Sequence, residues 1–226
     1  MTWRLRWSPS PAVDGLGAFE GVEDDRAGSH PGVRHIAVVG DVYRFTMHAV
    51  DRDRAGDRQR QEVKGMRAPS GGPQLVLGHG ETWWLSYRMR IPRGLAATTG
   101  FTHVFQTKAP GKGTLPMVVM SLRLRRGVAL IELKVGGELV GETGLDPLYE
   151  RWVDVDLEMR LAENGWVRWR IHDDARAVID VERSGVDTWL PDRVRPKWGI
   201  YRSLRKGPLP DCHLEIRDLR AYQWTR

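Results

Sequence analysis

Apolar and polar residues alternate in short runs along nearly the whole chain. "RHIAVVG" (34–40), "VYRFTMHAV" (42–50), "TWWLSYRMRI" (82–91), "FTHVFQTK" (101–108), "MVVMSLRLR" (117–125) and "VALIELKV" (128–135) all follow a period of two. That period sends successive side chains to opposite faces of a strand. The pattern resumes in "WVDVDLEMRL" (152–161), "WVRWRIHD" (166–173), "AVIDVE" (177–182), "RPKWGIYRS" (195–203) and "CHLEIRDLRAYQW" (212–224). Breakers such as "VGGE" and "AENG" separate the runs, and no long segment has helical period. Many short strands without βαβ alternation predict an all-β fold, a β-sandwich or jelly roll with one apolar and one polar face per strand.

Composition narrows this picture in three ways. The 226 residues, 41% of them hydrophobic, suffice for one substantial core, and a single domain over 1–226 is expected. The lone cysteine, Cys212, excludes an intramolecular disulfide and any cysteine-based metal site, so packing must supply the stability. A net charge of +6 and a pI near 9.8 favour a polyanionic partner. Because arginines and acids are interspersed with no Lys/Arg-rich arm, nucleic acid is not the expected one. No stretch approaches the ~18 apolar residues of a membrane span, and "MTWRLRWSPSPAVDG" lacks the apolar core of a secretory signal. A monomer without a membrane partner is expected.

Three strands carry candidate chemistry. Within the charge run 51–65, "RQEVK" places Arg60, Glu62 and Lys64 at alternate positions, on either a solvated edge or a cleft wall. In "FTHVFQTK", strict alternation puts His103, Phe105 and Thr107 on one face and Thr102, Val104, Gln106 and Lys108 on the other. A regular strand therefore offers His103 or Gln106 to a groove, but not both. In "RPKWGIYRS", Lys197, Gly199 and Tyr201 share a face opposite Trp198 and Ile200. Lys197 and Tyr201 are about 13 Å apart in an extended strand, a spacing suited to neighbouring units of a polymer.

Together these segments resemble the jelly-roll polysaccharide lyases. "RQEVK" is similar to their arginine-x-glutamate-x-basic motif, "FQTK" to their glutamine-x-histidine strand, and "KWGIY" to their lysine-x-glycine-x-tyrosine strand, in the same order. The likeness is to heparin lyase I-like and glucuronan lyase-like enzymes, and more distantly to alginate lyases, over roughly residues 15–224. It implies a concanavalin A-like β-sandwich (β-jelly roll), usually secreted, that cleaves a uronate-containing anionic polysaccharide by β-elimination. No cofactor and no metal is implied. Arg60 and Gln106 would neutralise the uronate carboxylate, Glu62 would orient Arg60, and Lys64, Lys108 and Lys197 would complete substrate binding. Tyr201 would transfer protons. Lys108 stands where the family pattern has histidine, so the base is either His103 or Tyr201 itself.

Two other functions fit the same strand pattern. Asp154, Asp156 and Glu158 share a face of "WVDVDLEMR" and superficially resemble the carboxylate strand of β-sandwich glycoside hydrolases, but that pattern wants glutamate where Asp154 stands, and a solvated convex face is expected for them. Ten tryptophans, Trp83 and Trp84 among them, could serve a non-catalytic carbohydrate-binding module.

Overall fold

A computed structural model describes every residue except 70, 112, 175 and 226. In chain order the strands are β1 (Thr2–Trp7), β2 (Gly21–Glu23), β3 (Ile36–Val39), β4 (Val42–Met47), β5 (Arg58–Lys64) and β6 (Met66–Arg67). They continue with β7 (Gln74–Leu75), β8 (Thr82–Arg90), β9 (Thr102–Lys108), β10 (Val118–Arg125), β11 (Val128–Val135) and β12 (Glu138–Gly144). The last are β13 (Trp152–Arg160), β14 (Gly165–Asp173), β15 (Arg176–Val186), β16 (Arg195–Ser203) and β17 (Cys212–Thr225). One short helix, Pro11–Asp14, and two 3₁₀ turns are the only helical elements among the described residues. None of these helices is long and apolar enough to cross a membrane.

Strands β6 and β7 pair in a small sheet of their own, and the other fifteen form two antiparallel sheets. One runs β15-β14-β13-β8-β17-β4-β3, with β1 added along β17; the other runs β12-β11-β10-β9-β16-β5-β2. This all-β sandwich is the architecture that the alternation predicts. The inward residues of β8, Trp83, Leu85, Tyr87 and Met89, are buried, as are Val153, Val155, Leu157 and Met159 on neighbouring β13. Phe105 and Trp198 rise to meet them from the other sheet, with ring centroids 6.4 Å from Tyr87. Each fully buried large side chain of this kind contributes about 1.5–3 kcal/mol, and the core thus fixes which face of β9 and β16 is left outside.

The carboxylates of β13 lie outward on the first sheet, where each meets a partner. Asp154 pairs with Arg88 at 3.3 Å, Asp156 accepts the Trp84 indole N–H at 2.7 Å, and Glu158 pairs with Arg170. They sit on the sheet opposite the motif strands. Trp83 is core, while Trp84 stacks on Tyr222 on the outer face.

The charge run 51–65 divides in two. Residues 51–57 form a connection, whereas 58–64 is β5, an interior strand of the second sheet whose middle five residues are all buried. Its charges are paired in the fold instead of being dissolved in water.

Register shifts occur on both sides of β9, and the one against β10 breaks strict alternation along it. Along β10, Ser121 pairs with His103 and the adjacent Met120 pairs with Phe105, leaving Val104 as an extra residue of β9. Along β9, Trp198 pairs with Phe105 while Tyr201 pairs with His103, so β16 carries one residue more than β9 over the same length. An inserted residue reverses the facing of everything beyond it. Val104 and Phe105 both enter the core, and His103 turns to the same outer face as Gln106. The expectation that one strand cannot present both is corrected by this geometry.

Gly199 makes the second bulge possible. Its φ of +134° is a conformation that side-chain-bearing residues rarely adopt, and a Cβ there would lie 2.2 Å from the Gln61 carbonyl oxygen and 2.9 Å from the Phe45 ring. The glycine is required for backbone geometry and close strand packing, and the missing side chain would not point into a groove.

Candidate active site

On the outer face of the second sheet the three motif strands lie side by side, with β16 between β5 and β9. Their registers create two cross-strand rows. Arg60, Tyr201, His103 and Ser121 form one; Lys64, Lys197, Gln106 and Val119 form the other. Residues paired in this way have Cβ atoms about 4.5–5.5 Å apart, so three sequence-distant motifs become one site.

Glu62 links the rows. One carboxylate oxygen accepts the Gln106 amide N–H at 2.6 Å; the other accepts Arg60 Nη1 at 3.0 Å and Lys197 Nζ at 2.6 Å. Lys197 also donates to Glu23 at 2.7 Å, and Arg60 Nε donates to Asp53 at 3.0 Å. Lys64 donates to the other Glu23 oxygen at 3.3 Å. Glu62 is 1% and Lys197 2% exposed. At this burial an unpaired charge would be prohibitive, and the balance of three cations with three carboxylates allows the cluster to exist.

Lys197 thus lines the cleft while bound to two carboxylates. Its ammonium donates two of its three N–H groups, one to Glu23 and one to Glu62. Glu62 holds Arg60, Gln106 and Lys197 through three hydrogen bonds. Arg60 retains one outward arm: among the described residues, its Nη2 makes no hydrogen bond.

Tyr201 lies at the centre of the first row. The Arg60 guanidinium sits 3.8 Å from its ring centroid, Arg58 Nη1 donates to its hydroxyl at 2.8 Å, and the His103 ring lies 5.6 Å away. Negative charge arriving on this phenol oxygen is met by a hydrogen-bonded guanidinium and a second one over the ring.

His103 stacks on Phe101 at 4.6 Å and shares a 2.7 Å hydrogen bond between Nδ1 and Ser121 Oγ. Burial pushes its pKa down to about 4; Glu62 opposes the shift, and Arg123 and Arg60 add to it. The imidazole is thus neutral at pH 7 and a weak base. In Glu23, burial favours the neutral acid, but Lys197, Arg60 and Arg26 outweigh it and bring the pKa down to about 2. Burial, reinforced by Arg60 and Lys197, lowers the pKa of Lys108.

A cleft of about 430 Å³ opens above this floor, lined by eight arginines and lysines against two carboxylates. Arg60, Lys64, Lys108, Lys197 and Tyr201 belong to it, as do Arg26, Arg54, Arg58 and Arg195. Among the described residues, Lys108 and Arg54 line it without an ion pair. A more apolar depression of about 690 Å³ continues the face across β10 and β11, with His103, Leu115, Met117 and Lys134 in its wall.

Sequence reasoning missed Arg58, Asp53 and Glu23. Arg58 precedes Arg60 by two and continues the same alternate face, a usable signal. Glu23 arrives on three-residue β2, which pairs with β5, and no local pattern announces that partnership.

The acid limb of stability should carry the signature of His103. A histidine near 6.5 unfolded and about 4 folded takes up its proton in the unfolded chain first, so its contribution is full above 6.5 and declines as pH falls to 4. At most ~3 kcal/mol is at stake. Glu23 adds to the loss below about 4.5, as pH falls toward its folded value of about 2. Urea unfolding from pH 7 to 4 should show a shallower decline in His103→Gln than in the parent; superimposable declines would refute the buried, neutral imidazole.

The sandwich and its motif-bearing face define a fold, the β-jelly roll of the polysaccharide lyases. Solved structures of that fold superimpose over nearly the whole chain. A family 7 alginate lyase in complex with substrate covers 96% of this chain and 97% of its own at TM-score 0.63 and 13% identity. An alginate lyase from Pseudomonas aeruginosa covers 91% and 98% at TM-score 0.61 and 16% identity. The endo-β-1,4-glucuronan lyase of the fungus Trichoderma reesei covers 90% of both chains at TM-score 0.57 and 13% identity. No protein-family model and no curated protein matches the sequence.

Proposed function

We propose that this protein is a polysaccharide lyase that cleaves a uronate-containing anionic polymer by β-elimination. The observation that carries the proposal is a phenol held between two guanidinium groups on the floor of a strongly cationic cleft. Structural likeness to alginate and glucuronan lyases supports the same chemistry.

In this reaction the proton at C5 leaves, its electron pair forms the C4–C5 double bond, and the C4–O bond breaks with protonation of the departing oxygen. Removal of the C5 proton is opposed by the adjacent carboxylate, whose negative charge disfavours a carbanion. Arg60, through its outward Nη2, and Lys108 would offset that charge, Gln106 would hold the carboxylate orientation, and Lys64 would bind further along the polymer. A well-aimed donor contributes ~3 to 4 kcal/mol to such a transition state. Tyr201 as phenolate would take the C5 proton and return it to the leaving oxygen. His103, with its pKa near 4, is a poor base for this step and acts by positioning Tyr201.

Hydrolysis fits the site less well. A retaining or inverting hydrolase needs one protonated carboxylic acid, whereas Glu23 is held ionised and Glu62 is enclosed by cations.

Incubation with alginate, glucuronan and heparin, monitored by the ultraviolet absorbance of the unsaturated product, tests the proposal. Absorbance is expected from alginate or glucuronan, with KM rising as salt screens the cleft. Reducing ends without absorbance would instead identify a hydrolase, and binding without cleavage a lectin-like module.

A further inference from the structure

Three imidazoles from separate positions converge on one carboxylate at the side of the cleft. His30 and His35 belong to the connection from β2 to β3; His48 and Asp51 begin the connection from β4 to β5. His30 Nδ1 lies 3.0 Å and His35 Nε2 3.1 Å from Asp51 Oδ1, with His48 Nδ1 3.5 Å from Oδ2. The four ligand atoms all lie within 4.8 Å of one another. His35 and Asp51 are fully buried, while His30 and His48 reach partly into solvent and leave a way in.

Two details separate this cluster from a set of hydrogen-bonded histidines. His48 Nδ1 is buried and has no hydrogen-bond partner, an unsatisfied group of the kind that calls for a missing neighbour. In addition, the far nitrogen of His35, Nδ1, lies 2.7 Å from Asp24 Oδ1, and Asp24 also accepts the backbone N–H groups of His35 and Ile36. A carboxylate behind an imidazole in this manner fixes ring and tautomer and leaves Nε2 as a lone-pair donor, the arrangement that supports histidine ligands of metals.

We propose that His30, His35, His48 and Asp51 bind a zinc ion. Three imidazoles and one carboxylate suit a borderline divalent transition metal and not calcium or magnesium, which prefer all-oxygen shells. Zinc–ligand bonds of about 2.0–2.2 Å in a tetrahedron need donors about 3.4 Å apart, so modest closure around the ion completes the site. Four protein ligands leave no open position, which makes the role structural. Asp51 is two residues from Asp53, the carboxylate that receives Arg60 Nε, and the Gln59 amide donates to the carbonyls of His48 and Asp51. The ion would fasten the two connections together and hold that wall of the cleft in place.

The test uses the full, untagged chain stripped with chelator and then titrated with cobalt(II) or zinc chloride, and it is independent of any lyase assay. One equivalent of cobalt is expected to give the visible absorption of a tetrahedral site, displaced by one equivalent of zinc. Zinc at a hundredfold excess over its dissociation constant should raise the thermal midpoint by about 5–10 °C. Asp24→Asn should weaken binding by about 10- to 100-fold. His30→Ala and His48→Ala, at partly exposed positions, should remain folded by circular dichroism and lose stoichiometric binding. The proposal is overturned if the folded parent takes up neither metal, if both alanine variants bind as the parent does, or if calcium alone stabilises the chain.

Discussion

Tyr201→Phe is expected to lower kcat for elimination by about 10²- to 10⁴-fold, the usual contribution of a positioned acid–base group, with little change in substrate affinity. Only the hydroxyl is removed. Arg58 keeps its bond to Asp57, and Arg60 keeps an aromatic ring beneath it. Initial rates of ultraviolet absorbance and calorimetric binding of an inert oligosaccharide measure the two effects separately. Undiminished turnover in this variant would remove Tyr201 from the chemistry and leave the cationic cleft as a binding surface.

Lys197→Met should act on the fold before it acts on catalysis. Removing one partner of a buried ion pair costs about 3–5 kcal/mol, since Glu23 and Glu62 would keep their burial with one cation fewer. For a chain of this size that corresponds to a fall of about 6–20 °C in thermal midpoint. A lysine that gripped a distant sugar would give the reverse result, a raised KM at unchanged stability. Scanning calorimetry beside steady-state kinetics distinguishes the two.

Much of the sheet structure was legible from alternation alone. "VALIELKV" coincides with β11, and "TWWLSYRMRI" exceeds β8 by one residue, because in both runs the buried face repeats without interruption. Strand β12, "ELVGETG", was not legible: an edge strand buries little and has no apolar period to display. The site was legible as residue types. Arg60, Gln106 and Tyr201, singled out by the resemblance, do meet on one face. What each charge does was not, because that depends on Glu23 and Asp53, contributed from strand β2 and a loop with no pattern of their own. No metal ligand was foreseen either, since His30, His35, His48 and Asp51 have no recognisable ligand spacing until the two connections are folded against each other.

The paired bulges at Val104 and Gly199 carry a consequence for how this sheet tolerates change. Val104 is an extra residue that lets two successive side chains enter the core, whereas on either side of Gly199 both Lys197 and Tyr201 keep the cleft face. Deleting Val104 would restore regular alternation with every other face kept, His103, Gln106 and Lys108 outward and Phe105 inward. The bulge thus reconciles the three-residue spacing of His103 and Gln106 with a shared outer face, and its removal would cost the packing of one buried valine.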